Sequence, residues 1–325
     1  MRLLRQFILN ELIFVLVKIK MTEGKIWMDG SLVPWDDAKI HVLTHGLHYG
    51  TAVFEGIRCY KTDYGLAAFR LPDHIRRLMH SAKMYFMDLG YSEKQLQDAV
   101  IDTINANKPE EYYVRPIAYY GYGKMGVNPL PNKVSIAIAV WKWDEYIRQS
   151  EPQKGARLMV SSWMRIDGKS MPMNAKATAN YANSALARME ALKMGFDEAL
   201  MLNTAGKVIE ASAENIFMVR DNVLITPPVN SGALNGITRD SVLAILRHYG
   251  SLYEIRDISR DEMYIADEVF LTGTAAGIRA VGDIDNRIIG NGDIGQLTME
   301  IKSKFEAVTQ GRDDNFNKKW LTYIS

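Results

Sequence analysis

The sequence predicts an α/β (α+β) fold of two domains with a site at their interface. Three observations carry that expectation. At 325 residues the chain is too long for one small core and suits two domains of ordinary size. Strand-like and helix-like segments alternate from Lys25 onward, in both halves. Between the halves, Asp144 to Gly155 is polar and carries Pro152, the composition of a connection rather than an element. The expected division is residues 21–146, an interdomain loop at 147–155, and a larger domain at 156–325. Clefts between such domains are common ligand sites.

Residues 1–20 read as an N-terminal extension. They are basic in front and apolar behind, and Asn10 and Glu11 interrupt the middle. Their longest apolar run, Leu12 to Val17, is far shorter than the roughly 20 residues of a spanning helix. No small-residue cleavage site follows. Either the segment is an amphipathic helix or the true start is Met21. The second reading is preferred.

After the extension, Ile26 to Asp29 and Ser31 to Pro34 flank Gly30 as a short hairpin. Ala52 to Tyr60 is an apolar run with a glycine inside it. Ile75, Leu78, Met79, Ala82, Phe86 and Leu89 recur at helical spacing, so a helix is predicted over 73–89, stopped by Gly90. Ser92 with Gln95 forms a capping box for a second helix that runs to about Asn107. Tyr112 to Tyr120 and Val134 to Val140 read as buried strands. In the second half, Thr178 to Met194 and Thr238 to Tyr249 are helical, each followed by glycine. Ser259 with Glu262 caps a shorter helix. Val208–Ile209, Ile216 to Val219 and Glu268 to Leu271 read as strands. No internal repeat is present.

Composition narrows the function classes. The chain is 47% hydrophobic and 24% charged with a formal net charge of +1, so no global field favours nucleic acid or an anionic membrane. Neither is expected as a partner. Cys59 is the lone cysteine, which rules out an internal disulfide and a thiol-rich zinc site. No metal is expected. A lone thiol in an apolar stretch reads as inert packing.

Several residues could carry chemistry. Lys176 lies among Ala175, Ala177 and Ala179, five residues before Tyr181. Small neighbours let a planar group approach, and desolvation makes a lysine amine more nucleophilic. Glu210 and Glu214, in VIEASAEN, are two carboxylates at the end of a strand. Glu210 follows the buried Val208–Ile209 directly, and Glu214 lies further into the turn. Gly236 precedes a helix opening near Thr238, where free backbone N–H groups can cradle an anion. Thr274, after a second strand and a sharp glycine turn, is a similar candidate. Arg77 or Arg76 could meet a phosphate from the first helix. Arg115 interrupts the strand YYVRPIAYY, where a charge is costly unless paired. The glycine-bearing loop around Met125 and Val127 suits a mobile apolar wall.

In their order, these segments resemble the branched-chain-amino-acid aminotransferases of the pyridoxal-phosphate (PLP) fold type IV class. The matching segments are HGLHYGTAVFEGIRCY, YYVRPIAYYGYGKMGVNP, AKATANY, VIEASAENIF, GALNGITRD and ADEVFLTGTAAGI. The resemblance implies the cofactor pyridoxal 5′-phosphate and the fold type IV architecture. It implies that Lys176 is the Schiff-base lysine, that Glu210 faces the pyridine nitrogen and that Tyr181 meets the ring oxygen O3′. Arg77, Ile237, Thr238 and Thr274 match phosphate ligands. Tyr113 with the Thr274 and Ala275 amides matches the seat of the substrate α-carboxylate, and Arg115 the arginine for a distal carboxylate. Tyr49, Phe54, Met125, Val127, Trp143 and Tyr146 match the side-chain pocket.

The implied reaction moves the amino group of L-leucine, L-isoleucine or L-valine to 2-oxoglutarate. D-amino-acid or (R)-amine aminotransferases and aminodeoxychorismate lyases of the same fold are the alternatives. In the family the Met125–Val127 loop comes from a neighbouring subunit. A homodimer at least, or a hexamer, is therefore expected, in the cytoplasm. Thr178, Ala179, Ala211 and Ala213 depart from the glycines that relatives often carry there, which leaves substrate range open.

Overall fold

A computed structural model describes residues 24–108, 110–142 and 154–324. The expected extension at 1–20, most of the loop at 147–155, and Trp143 and Tyr146 lie outside the described residues.

The first sheet has eight strands. Its order is Leu321–Tyr323, Gly65–Phe69, Ile57–Thr62, Tyr112–Tyr120, Val134–Lys142, Lys25–Met28 and Ser31–Pro34, with Ala52–Phe54 also paired to Tyr112–Tyr120. Every pairing is antiparallel. Such a sheet can bury one face and leave the other for a ligand. Tyr112, Val114, Ala118 and Tyr120 enter a core with Ile136, Ile138 and Val140, beneath the helices Leu71–Met84 and Glu93–Asn105. Tyr113, Arg115 and Ile117 alternate onto the opposite face. The strand is buried at seven of its nine residues, and Arg115 is one of the two half-buried ones. It stands on the face away from those helices.

The predicted helix over 73–89 runs instead from Leu71 to Met84. It stops because Phe86 turns left-handed, with φ of 56°. Leu89 still reaches the core from outside the helix. The capping box at Ser92 forms: the Gln95 amide donates to its hydroxyl at 3.3 Å and its own amide to Gln95 Oε1 at 2.8 Å. The apolar run Ala52 to Tyr60 splits into two strands at Glu55–Gly56.

The second sheet has ten strands. Six of them, Asn215–Arg220, Glu268–Gly273, Gly277–Ile284, Ala156–Val160, Glu198–Leu202 and Lys207–Ala211, pair in that order. A single pair, Glu210 with Asn215, closes the ring. Leu158, Leu200, Val208, Ile216, Val269 and Val281 share the core of this ring. Another core joins Phe217, Phe270, Val242 and Phe305 to Ala67 and Phe69 of the first sheet. The last strand, Leu321–Tyr323, thus returns from the second half of the chain to edge the first sheet. Among the described residues no helix is long and apolar enough to cross a membrane.

The first sheet meets the segment that leads into the helix Thr178–Lys193 at a point that matters for chemistry. Val53 and Ala177 form an isolated antiparallel bridge, and the Phe54 amide donates to the Lys176 carbonyl at 2.9 Å.

Candidate active site

Lys176 is held by its backbone from the first half of the chain. Its carbonyl accepts from Phe54, its amide donates to Ser81 Oγ at 3.0 Å, and Ala175 and Ala177 on either side are buried in the first core. Its side chain enters a cavity lined also by Arg77, Arg165, Tyr181, Glu210, Ile237, Thr238 and Thr274. The amine donates to the Tyr181 hydroxyl and lies 5.0 Å from the centre of the Phe54 ring. Burial, then the Arg77 charge, pull the amine down to about 8. About a tenth of such an amine is neutral at pH 7, against well under a thousandth for ordinary lysine. Burial and the nearby Glu210 charge push the Tyr181 phenol up, so it stays protonated.

Glu210 stands where the ring closes. Arg165 Nε lies 2.9 Å from its Oε1, while the Asn215 side-chain amide at 3.2 Å and the Leu234 backbone amide at 3.1 Å donate to its Oε2. Burial raises this carboxyl, and Arg165 pulls the other way. Arg165 is itself buried and donates to Ser184 Oγ at 2.8 Å. The choice between the two carboxylates is settled by direction. Glu214 does not line the cavity but lies under the Gly273 turn, where a Cβ on Gly273 would come within 3.1 Å of its Cγ.

The helix Ile237–His248 points its N-terminus into the cavity. Free amides there, with the Thr238 hydroxyl, form a cradle for an anion. Gly236 has to be glycine at this entry, because a Cβ would fall 1.9 Å from Asn215 Oδ1. Thr274 also lines the cavity, at the turn after Gly273.

Of the two candidate arginines, Arg77 lines the cavity, and Arg76 is exposed beside Asp73 and Glu93. Arg77 donates from Nε and Nη2 to both oxygens of Glu55, at 2.6 and 2.9 Å, and from Nη1 to the Asn235 carbonyl at 2.9 Å. His74 Nδ1 lies 2.7 Å from Glu55 Oε2. Burial alone would raise the Glu55 carboxyl, but Arg77 and then His74 outweigh it and hold it well below the usual carboxylate range. Burial lowers His74, so the neutral ring donates and the pair Glu55–Arg77 carries the charge.

On the open face of the first sheet, Phe54, Tyr113 and Arg115 gather beside Lys176. Phe54 packs edge-on to Tyr181 with centroids 4.8 Å apart, and the Arg115 guanidinium lies 4.9 Å from its centre. Tyr113 reaches over Gly56, where a Cβ would collide with its hydroxyl at 1.9 Å. Of the remaining expected pocket residues, Tyr49 is exposed and stacks on His45, and Met125 and Val127 are exposed on their loop. None of these three lines the cavity of Lys176, and neither does Ala275, which follows Thr274 in its turn. His45 pins that loop, its Nε2 lying 2.7 Å from the Gly126 carbonyl.

Four residues of this assembly were not singled out from the sequence: Glu55, His74, Arg165 and Trp141. A signal existed for one. Glu55 is the charge inside the apolar run Ala52 to Ile57, the same cue that marked Arg115. Cys59 is buried and its thiol is pushed up to about 12, an inert packing residue.

The family profile described as "Amino-transferase class IV" matches residues 52–284. The branched-chain-amino-acid aminotransferase of Pseudomonas aeruginosa is 40% identical over 302 residues, covering 93% of this chain and 98% of that one. That of Escherichia coli K12 is 40% identical over 296 residues, covering 91% and 95%. Among solved structures, the branched-chain amino acid aminotransferase of Thermobaculum terrenum in its PLP form superposes with a TM-score of 0.87 at 35% identity, over 94% of this chain and 99% of that one. The Escherichia coli enzyme superposes with a TM-score of 0.90 at 39% identity, over 93% and 100%. With a depressed lysine amine, a buried carboxylate and an anion cradle in one cavity, and with these proteins matching it over most of its length, the chain belongs to the class IV amino-transferase family.

Proposed function

We propose that the protein is a branched-chain-amino-acid aminotransferase, moving the amino group of L-leucine, L-isoleucine or L-valine to 2-oxoglutarate. The observation that carries the reading is Lys176: a buried amine of depressed pKa, between Tyr181 and Phe54, in a cavity that also holds a carboxylate and an anion cradle. The family's cofactor is pyridoxal 5′-phosphate, and solved relatives carry its derivatives.

The donor set fits that cofactor. A phosphate would be held by the Ile237 and Thr238 amides, the Thr238 hydroxyl, Thr274 and Arg77. A pyridine nitrogen would face Glu210, and a ring oxygen would face Tyr181. When bound, the cofactor supplies an aldehyde that condenses with amines and a ring that takes up electrons from the substrate Cα. Lys176 supplies the nucleophile, and once free it is the base that moves the Cα proton. Glu210 would keep a proton on the nitrogen, and Arg165 holds Glu210 in place and opposes the effect of its burial. Tyr181 donates its proton to the ring oxygen.

Tyr113 with the Thr274 and Ala275 amides seats the α-carboxylate. Arg115 takes the distal carboxylate of 2-oxoglutarate, and Phe54 and Tyr49 line the alkyl pocket with Trp143 and Tyr146. The Met125–Val127 loop completes the site of a neighbouring copy. Its exposed apolar side chains, with Val42, Leu47 and Leu130 also exposed, support a homodimer at least. A cytoplasmic location accompanies this reading, as does the division into domains at 21–146 and 156–325.

The test is direct. Enzyme loaded with cofactor is incubated with 2-oxoglutarate and L-leucine, and glutamate is measured, with D-alanine in parallel. Glutamate from L-leucine and none from D-alanine is expected. Turnover of D-alanine alone moves the protein to the D-amino-acid branch of the family.

A further inference from the structure

An aminotransferase of this kind has to admit two unlike side chains into one pocket, a bare alkyl chain and a chain ending in a carboxylate. Arg115 is the cation available for the second. The same cation is a burden when the first is bound, because a buried charge without compensation is costly. The surroundings of Arg115 resolve this.

Tyr113 and Trp141 are directly opposed across neighbouring strands, their rings 5.2 Å apart and tilted by 43°. Arg115, two residues along, shares their face, and the residue opposed to it is Ala139, whose methyl leaves room for a guanidinium. Phe54 reaches the same space from the other side of the strand, opposite Ile117. The Arg115 Cζ therefore lies 4.9 Å from the Phe54 ring centre, 5.3 Å from that of Tyr113 and 5.8 Å from that of Trp141. Its polar contacts are weak by comparison. Nη2 donates to the Tyr113 hydroxyl at a long 3.4 Å, and Nε is buried with no hydrogen-bond partner among the described residues.

We infer that Trp141 is a specificity-determining positioning residue: with Phe54 and Tyr113 it cages the Arg115 guanidinium, so that one pocket serves both an alkyl chain and a distal carboxylate. The inference rests on the branched-chain reading above. Aromatic faces offset the half-buried cation through their quadrupoles without occupying its N–H donors. A carboxylate partner would have offset it too, but would have filled the donors that an incoming substrate carboxylate needs. With an alkyl substrate bound, the rings carry the charge and present apolar edges to the chain. With a dicarboxylate bound, the N–H groups are already aimed and dry. Phe54 also packs under Lys176, at 5.0 Å. Trp141 is therefore the ring through which the distal subsite can be altered separately from the amine.

The experiment uses the cofactor-loaded enzyme and two unreactive probes, glutarate and 4-methylpentanoate, with affinities read by calorimetry. They share one carboxylate and differ at the far end. Trp141→Met removes the aromatic face while keeping an apolar filler of adaptable shape. It is expected to weaken 4-methylpentanoate about tenfold, the size of one desolvated cation–π contact, and to leave glutarate, whose far carboxylate itself offsets the cation, within about twofold. Trp141→Phe restores a face and is expected to hold 4-methylpentanoate within about threefold of the unaltered enzyme. Unchanged 4-methylpentanoate affinity in Trp141→Met, or equal weakening of both probes, overturns the inference. Trp141→Leu takes its place if the methionine variant does not fold. Arg115→Leu tests the cation apart from its cage. If glutarate binding survives that change, the distal role of Arg115 falls and the cage with it. If the unaltered enzyme binds glutarate but not 4-methylpentanoate, the branched-chain reading alone fails.

Discussion

Lys176 shows how much a single residue owes to its surroundings. An ordinary lysine amine is fully charged near neutrality, and this one is pulled to about 8 by burial and by Arg77. Replacing it with alanine is expected to lower transamination at least about 1,000-fold, since nucleophile and proton carrier are lost together. The far-UV circular dichroism and melting temperature should stay close to those of the unaltered chain, because the backbone contacts of residue 176 do not involve the amine. Substantial turnover in that variant would remove Lys176 from the mechanism. Glu214 is the opposite case, a buried acid outside the cavity. Burial and then the neighbouring Glu198 charge raise its carboxyl, and its Oε2 has no hydrogen-bond partner among the described residues. Folded, it keeps its proton through neutral pH. Unfolded, it loses that proton above about 4.3. The native state binds more protons in this window, so the group costs stability as pH rises. Glu214→Gln should therefore melt about 2–6 °C higher than the native chain at pH 8 and show no gain at pH 4. Scanning calorimetry at the two pH values decides it, and a gain of equal size at both would point to packing instead.

At the scale of elements, the break between Ala52–Phe54 and Ile57–Thr62 organises the first-half side of the site. An unbroken strand here would alternate its side chains regularly. The interruption lets Phe54 reach Lys176 and Tyr181, while Glu55 turns to Arg77 and His74. Gly56 makes room for Tyr113. Gly56→Ala drives a Cβ into the Tyr113 hydroxyl and is expected to cost about 1–3 kcal/mol of stability. It should also raise the KM for L-leucine about tenfold or more, because the ring proposed to seat the α-carboxylate is displaced. A variant with native KM would mean that Tyr113 does not seat substrate. The same break explains a limit of the sequence: the run AVFEGIRCY is apolar enough to read as one buried strand, and a single Glu–Gly pair does not announce a change of direction.

Across the whole molecule, the chain end ties the halves together. Leu321 pairs with Phe69, and Trp320 packs in the core that Phe69 shares with Phe217, Phe270 and Phe305. Removing residues 321–325 strips the edge of the first sheet and the buried Leu321 side chain. The melting temperature is expected to fall by about 5–15 °C, in line with the loss of one large core side chain and its ladder bonds. Activity should fall with it, since Lys176 takes backbone contacts from the first half. A truncated chain of native stability would show that the halves hold each other through the Val53–Ala177 bridge and the helices alone.

The alternation of strand and helix, both capping boxes, the strand Tyr112–Tyr120 and several of the residues that line the cavity were legible in the sequence, because each depends on local spacing or on an unusual residue in an apolar run. Lys176 among alanines, Arg115 within a strand and Thr238 at a helix start are marked by their immediate neighbours. What local spacing could not hold was decided by tertiary structure. Strands such as Gly65–Phe69 and Glu198–Leu202 are short apolar runs with no periodicity of their own, and they gain pairings with distant partners, Leu321–Tyr323 and Ala156–Val160. Which of Glu210 and Glu214 enters the cavity follows from the closure of the ring at Asn215. The pairing of Arg77 with Glu55, of Arg165 with Glu210, and of Arg115 with Trp141 joins elements that only the folded chain brings within reach, and charge compensation of that kind has no signature in a linear sequence.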